Sequence, residues 1–462
     1  MSQIESVLAK AETNLEGSLE RLFDLLRIPS VSTDKAYAAE CAKAAGWLVD
    51  ELKGLGFEAE ARETGGRPMV VAHWRGKTAA KGPHVLFYGH YDVQPADPLN
   101  LWKRDAFDPA LVDGRNGKDI HGRGSSDDKG QVMTFVEACR AWIETAGGLP
   151  IPVSLLIEGE EESGSKSLGP FLEKYRDELT TDLALVCDTG MWDADTPAIS
   201  TMLRGLVYEE VVITAADRDL HSGMYGGAAQ NPIRVLAGII TALHDGNGRV
   251  TLPGFYDGVP EIPADIRKQW DELGFDTASF LGDVGLSVPA GEKDRTALEQ
   301  IWSRPTCDVN GIVGGYIGEG SKTVIPSKAS AKISFRLVGS QDPLKIRAAF
   351  RQFVAERLPS DCSAEYIGHA ASPALVLDMS GPAVARAAKA LGEEWGRDAA
   401  LVGMGGSIPI VGDFKRTLGL DSLMIGFALD DDNIHSPNEK YALKSFRGGI
   451  RSWARVLEAL AE

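Results

Sequence analysis

The chain has 462 residues, 44% hydrophobic and 25% charged, a globular composition too long for one core, so two domains are expected. A net charge of −18, from 66 acids against 48 bases, argues against nucleic acid or an anionic membrane as partner, since both need basic patches. The charged opening reads as no secretion signal and no apolar stretch reaches membrane-spanning length, while five scattered cysteines without a CxxC pair suit the reduced thiols of a cytoplasmic protein.

Apolar periodicity near 3.6 predicts helices over 16–27, 38–55 and 130–143, with Gly56 as a stop for the second. Short, almost continuous apolar runs at 67–74, 84–89, 151–157 and 182–187 read as strands covered on both faces. Their alternation with helices predicts an α/β layer. After "LRG" (203–205) the texture changes, and 206–215 alternates as a half-exposed strand would. A helix follows from Pro232, then a Pro/Gly-rich stretch over 250–295, strands near 308–317 and 327–338, a helix over 343–357 and a strand near 364–369. That is the pattern of a small antiparallel sheet with two helices on one face. From Gly381 an amphipathic helix and two apolar segments, 400–403 and 422–428, return to the first sheet. The expected fold class is therefore α/β: a larger α/β/α domain built from 1–205 and 373–462, interrupted by a smaller α+β domain over 206–372.

Four predicted strands end in acids or histidines. "HVLFYGHYDV" delivers His90 and Asp92, "LLIEGEEESGS" delivers Glu158, Glu160, Glu161 and Glu162, "TDLALVCDTG" delivers Asp188, and "SLMIGFALDDDNIHSP" leads to His435. A fifth piece, "GRGSSDDKGQ", sets Asp127 and Asp128 in a Gly-rich turn just before a helix. Sites in open α/β sheets lie at the carboxyl ends of strands. Carboxylates this close repel one another and resist burial unless cations neutralise them. A His/Asp/Glu set without cysteine suits zinc, manganese or cobalt. With one carboxylate bridging two ions, a water between them becomes a nucleophile near neutral pH. The adjacent Glu161 and Glu162 offer one ligand and one general base.

In order along the chain, "GHYDVQP", "GRGSSDDKG", "EGEEESGS", "CDTG", "LRG", "DLHSGMYGG", "KTVIP", "ISFRLV", "GGSIPI" and "IHSPNE" resemble the dinuclear metallopeptidase family of aminoacylases, carnosinase-like dipeptidases and succinyl-diaminopimelate desuccinylases. The similarity runs from "RIPSVS" (27–32) almost to the end and is strongest to the dipeptidase branch. It implies a metal-binding catalytic domain and an inserted lid and dimerisation domain. It implies two divalent ions per chain, Zn2+ or Mn2+, with Asp127 bridging, His90 and Asp188 on one ion, and Glu162 and His435 on the other. Glu161 then matches the general base and Asp92 the acid that holds the His90 imidazole. The family usually has a cis peptide within "DDKG". His221 resembles a histidine that reaches a neighbouring subunit's site in a homodimer. Arg336, Thr323 and Ser407 match positions that hold the substrate's carboxylate end, with Gly405 and Gly406 letting backbone come close to it. The implied activity is hydrolysis of dipeptides or similar small peptides with a free C-terminal carboxylate. The alternative in the same chemistry is an N-acyl amino acid deacylase or carboxypeptidase. A rival of another class is a binding protein on this fold that has lost catalysis, against which stands the presence of every ligand and of the base.

Bland readings stand beside these. His73, His84, His121, His244 and His369 fit no ligand pattern and read as structural, and Cys187 reads as packing. Asp128 and Glu160 read as supporting or solvated acids, and Asp430, Asp431 and Asp432 as a solvated turn. For the dimer that the resemblance implies, 206–215 is expected to be an edge strand that pairs with its own copy.

Overall fold

The computed structural model describes residues 2–78, 82–115, 117–282, 284–377, 381–405 and 409–462. They cluster into two units: Met1–Thr201 with Leu377–Val402 and Ile410–Glu462, and Met202–Val376 with Gly403–Pro409. The stretch 403–409, assigned from sequence to the larger domain, thus groups with the second unit.

The first unit is built on a mixed sheet. Its strands lie in the order Phe57–Arg62, Met69–Trp74, Val153–Glu158, Val85–His90, Leu183–Val186, Ser422–Met424 and Ala198–Leu203, with Ala400–Met404 also on the last. Val153–Glu158, Val85–His90, Leu183–Val186 and Ser422–Met424 run parallel, so their carboxyl ends share one edge. Every residue of Val85–His90 and of Val153–Glu158 is buried, which explains apolar runs without alternation. The helix Lys129–Ala146 packs on the central strand and against the C-terminal helix Leu443–Ala461. Phe87 stacks on Phe135 with 3.9 Å between ring centroids, and Trp453 meets both edge-on. Truncating Trp453 to Ala at this junction would cost about 3–5 kcal/mol. The helix Gln3–Thr13, closed by a Ser2–Glu5 capping box, and the hairpin Ala110–Gly114/Gly117–His121 are additions to the sequence reading.

In the second unit four antiparallel strands lie in the order Thr306–Gly314, Lys328–Leu337, Gly205–Thr214, Ser363–Ser372. The strand expected at an edge, 206–215, is therefore interior, with ladders on both sides. Its alternating burial reflects one face packed under the helices Pro232–Ala242 and Pro343–Ala355, and the other left partly open. Val207, Val211, Ile333, Phe335, Phe350 and Phe353 fill that packed layer. Glu209, fully buried among them, is held by Arg347 at 2.7 Å and Arg351 at 2.8 Å, tying strand to helix. The Pro/Gly-rich stretch contains the short helices Ala264–Glu272 and Thr277–Gly282, and a third, Ala297–Trp302, follows it.

Candidate metal centre

The shared edge of the parallel strands gathers the predicted residues of the first unit. His90 closes Val85–His90, and its register partner is Glu158, which closes the neighbouring strand. Asp188 follows Leu183–Val186 by two residues, and Glu161 and Glu162 open a tight turn just past Glu158. Asp127 and Asp128, joined by a cis peptide, immediately precede the helix Lys129–Ala146. His435, in the left-handed region at φ 62°, lies in the long connection after Ser422–Met424.

Two groups of three candidate ligands result, sharing Asp127: His90, Asp127 and Asp188, and Asp127, Glu162 and His435. Within each group the ligand atoms lie within 4.8 Å of one another. His435 Nε2 stands 3.0 Å from Asp127 Oδ2 and 3.1 Å from Glu162 Oε2. His90 Nε2 lies 3.1 Å from Asp127 Oδ1, yet it is buried and makes no aligned hydrogen bond among the described residues. The other ring nitrogen, Nδ1, is spent on the Asp92 carbonyl at 3.1 Å. An imidazole fixed through Nδ1 with Nε2 left over is the state a metal ligand requires. The donor set of imidazoles and carboxylates fits hard or borderline divalent ions.

The electrostatics point the same way. Burial works against the charged His90 imidazole, but contacts with Asp127 and Asp92 outweigh it and hold the group well above its usual range. Hydrogen bonds to Asp127 and Glu162 push His435 up to about 10. Burial, reinforced by neighbouring acids, raises Asp188 well above the ordinary carboxyl range against the opposing pull of His90. Protons thus balance the crowded carboxylates here, and a bound cation displaces them. Glu161 is raised as well, by burial first and then by Glu162, Asp127 and Asp92, with His90 opposing. A carboxylate moved towards neutrality is what a general base near pH 7 needs.

Asp92 does more than orient His90. Its fully buried carboxylate accepts the backbone N–H groups of Glu161 at 3.2 Å and Glu162 at 3.1 Å, bracing the turn that presents both glutamates. Asp128 is buried and accepts the His90 backbone N–H at 3.0 Å, and Glu160 is buried rather than solvated. Asp432, read as part of a solvated turn, is fully buried: it accepts from the Ser126 hydroxyl at 2.7 Å and from Lys440 at 2.9 Å.

Two residues escaped the sequence reading, although both stand in quoted motifs. Gln94, of "GHYDVQP", donates to Glu162 Oε2 at 2.8 Å. Glu439, the last residue of "IHSPNE", is buried and accepts from Arg123 Nη1 at 2.7 Å and from the N–H groups of Gly124, Ser126 and Asp127 at 2.9, 2.9 and 3.0 Å. It cradles the turn that presents Asp127.

The remaining predicted residues belong to the second unit. His221 is exposed on the short ladder Leu220–His221/Val324–Ile325, and its Nδ1 accepts the Gly223 N–H at 3.0 Å. Thr323 adjoins it, its carbonyl taking the Ser222 N–H at 3.0 Å. Arg336 lies half-buried on the face of the sheet away from the helices. Gly405 is contacted by Arg204, and Gly406 and Ser407 lie outside the described residues.

Residues 86–459 match the model of peptidase family M20/M25/M40. The chain belongs to that family. It is a metallopeptidase, and every metal-ligand candidate falls inside the matched span. It is 31% identical to the Cys-Gly metallodipeptidase DUG1 of Candida albicans, over 94% of this chain and 92% of that one. The structure of the dipeptidase Dug1p from Saccharomyces cerevisiae superposes with a TM-score of 0.80 at 26% identity, covering 100% of this chain and 99% of the other. The M20 family metallo-carboxypeptidase Sso-CP2 from Sulfolobus solfataricus gives 0.81 at 30% identity over 96% and 99%. The larger α/β unit carrying the candidate ligands and the smaller α+β unit agree with these folds. Among the described residues no helix is long and apolar enough to cross a membrane.

Proposed function

We propose that the enzyme hydrolyses the amide bond of dipeptides and similar small peptides with a free C-terminal carboxylate, using two ions shared across Asp127. The observation that carries this reading is the pair of three-ligand groups meeting at one carboxylate. His90, Asp127 and Asp188 would hold one ion, Glu162 and His435 the other with Asp127; zinc or manganese suits the donors. The bound ions would supply Lewis acidity, making water a nucleophile near neutral pH and polarising the scissile carbonyl. Glu161 takes the water's proton and returns it to the leaving amine. Asp92 keeps Glu161 in place through the backbone of its turn and keeps His90 in one tautomer. Arg336, with Thr323, Ser407, Gly405 and Gly406, receives the substrate's carboxylate end.

The second unit serves, in this reading, as a lid and as the contact of a homodimer in which His221 assists the partner's site. Its edge strand Thr306–Gly314 supports the dimer, since Ile312 and Val313 are 60% and 64% exposed there. Five unpaired cysteines, four of them buried, support work in the cytoplasm. The test is a panel of dipeptides, C-terminally amidated dipeptides, N-acyl amino acids and longer peptides, offered to chelated enzyme reloaded with zinc or manganese. Dipeptides with free carboxylates should be cleaved best. Efficient turnover of amidated dipeptides contradicts the proposal, and a preference for longer peptides or N-acyl amino acids replaces it with a carboxypeptidase or deacylase.

A further inference from the structure

Glu161 and Glu162 stand side by side at the centre, and the Asp92 carboxylate treats them alike. One of its oxygens takes the Glu161 N–H at 3.2 Å and the other takes the Glu162 N–H at 3.1 Å. That contact braces the turn, but it does not decide which of the two side chains meets the second ion. Gln94 makes the distinction. Its Nε2 donates to Glu162 Oε2 at 2.8 Å and to the Glu162 carbonyl at 3.3 Å. A glutamine amide carries two N–H groups, so both are taken up by this one residue.

The amide reaches out from a fixed base. On one side the Val93 N–H donates to the Ser30 carbonyl at 3.0 Å, and on the other the Pro95 carbonyl takes Arg123 Nη2 at 3.2 Å. Arg123 is itself locked to Glu439 at 2.7 Å. The second ion needs such help more than the first. The His90 side chain is fully buried, whereas that of His435 is 54% exposed and sits in a long connection. His435 Nε2 approaches the same Glu162 Oε2 that Gln94 holds, at 3.1 Å. A carboxylate fixed beforehand loses less rotamer freedom when an ion arrives. A neutral amide can fix it without adding a positive charge that would compete with the ion.

We propose that Gln94 is the positioning residue that commits Glu162, and not Glu161, to the second ion. This rests on the two-ion reading above. Gln94 leaves Glu161 free to move the proton while its neighbour is held.

The experiment titrates Zn2+ into metal-free enzyme against a competing chelating dye and reads two affinities. Gln94→Met, similar in length but without a donor, should weaken the second ion about 10–100-fold and leave the first unchanged. The melting temperature of the metal-free protein should barely move. Gln94→Asn, whose amide is one methylene short, should fall between and serves if the Met variant folds poorly. Once Glu162 is released, Glu161 competes for the ion. Glu161→Gln should therefore weaken the second ion further on the Gln94→Met background while leaving it unaltered on the wild-type one. A second ion held as tightly by Gln94→Met as by the wild type overturns the proposal. So does an equal loss of both ions with a lowered melting temperature, which marks a merely structural role. The same null effect of Glu161→Gln on both backgrounds removes the choice between the two glutamates. Failure of the two-ion reading is a separate result, since it would show in the wild-type enzyme as fewer than two ions before any variant is made.

Discussion

Replacing Glu439 by alanine removes one carboxylate and strands four donors. Arg123, 1% exposed, loses its partner at 2.7 Å, and the N–H groups of Gly124, Ser126 and Asp127 lose theirs at 2.9 to 3.0 Å. Breaking a buried ion pair from one side costs about 3–5 kcal/mol. Each orphaned buried donor adds about 1–3 kcal/mol before water enters the vacated space. With water relieving most of the N–H groups, about 5 kcal/mol is expected, comparable to the whole stability of many domains. At about 2–4 °C per kcal/mol for a unit of this size, the metal-free protein should melt about 10–20 °C lower. The same cradle presents Asp127, so metal affinity, read by competition with a chelating dye, should fall about 10–100-fold. Glu439→Gln keeps one acceptor oxygen and should fall between. A melting shift under about 3 °C together with unchanged metal affinity for Glu439→Ala would refute the reasoning.

Other outcomes follow from the same geometry. Glu161→Gln should retain both metals while turnover drops about 10²–10⁴-fold; near-normal rates would move the base elsewhere, whereas Glu162→Gln should lower metal content instead. Elemental analysis should find two divalent ions per active chain, and chelation should abolish activity until either metal is restored. Hydrogen bonds from Arg62, ahead of the contact with His73, lower the Glu178 carboxyl from 4.5 to about 2. The folded state therefore binds that proton less readily than the unfolded chain, so the stabilisation is in place above pH 4.5 and drains away as pH falls towards 2. Glu178→Gln should flatten that acid limb in urea titrations, by a small amount because the group is partly exposed, and an unaltered limb would contradict the assignment. Co-refolded His221→Ala and Glu161→Gln chains should recover up to about a quarter of wild-type activity, one complete site in each mixed dimer under random pairing. No recovery despite proven mixing would mean that His221 serves its own chain or no site.

Most of the candidate metal ligands were legible in the sequence because they end or closely follow an apolar run, and parallel strands bring such ends to one edge whatever the chain does between them; Asp127, in a Gly-rich turn before a helix, and His435, in a long connection, are the exceptions. His90, Asp188 and the glutamates after Glu158 could be named on that ground, and helices such as Lys129–Ala146 declared themselves by their period. The proposal of Asp127 as a shared ligand, and of different roles for Glu161 and Glu162, needed the family resemblance, since two adjacent acids look alike to any local pattern. What only the tertiary structure decided depends on partners distant in the chain. Glu439 reaches back 312 positions to the Asp127 turn, and Arg204 reaches 201 positions ahead to Gly405. Asp432 looks like a solvated acid until Ser126, 306 positions away, is found against it. The strand 206–215 shows the same limit: alternation reports that one face is covered, but a strand's neighbours in the sheet are chosen by the ladders of Lys328–Leu337 and Ser363–Ser372, and nothing within ten residues of sequence encodes that choice.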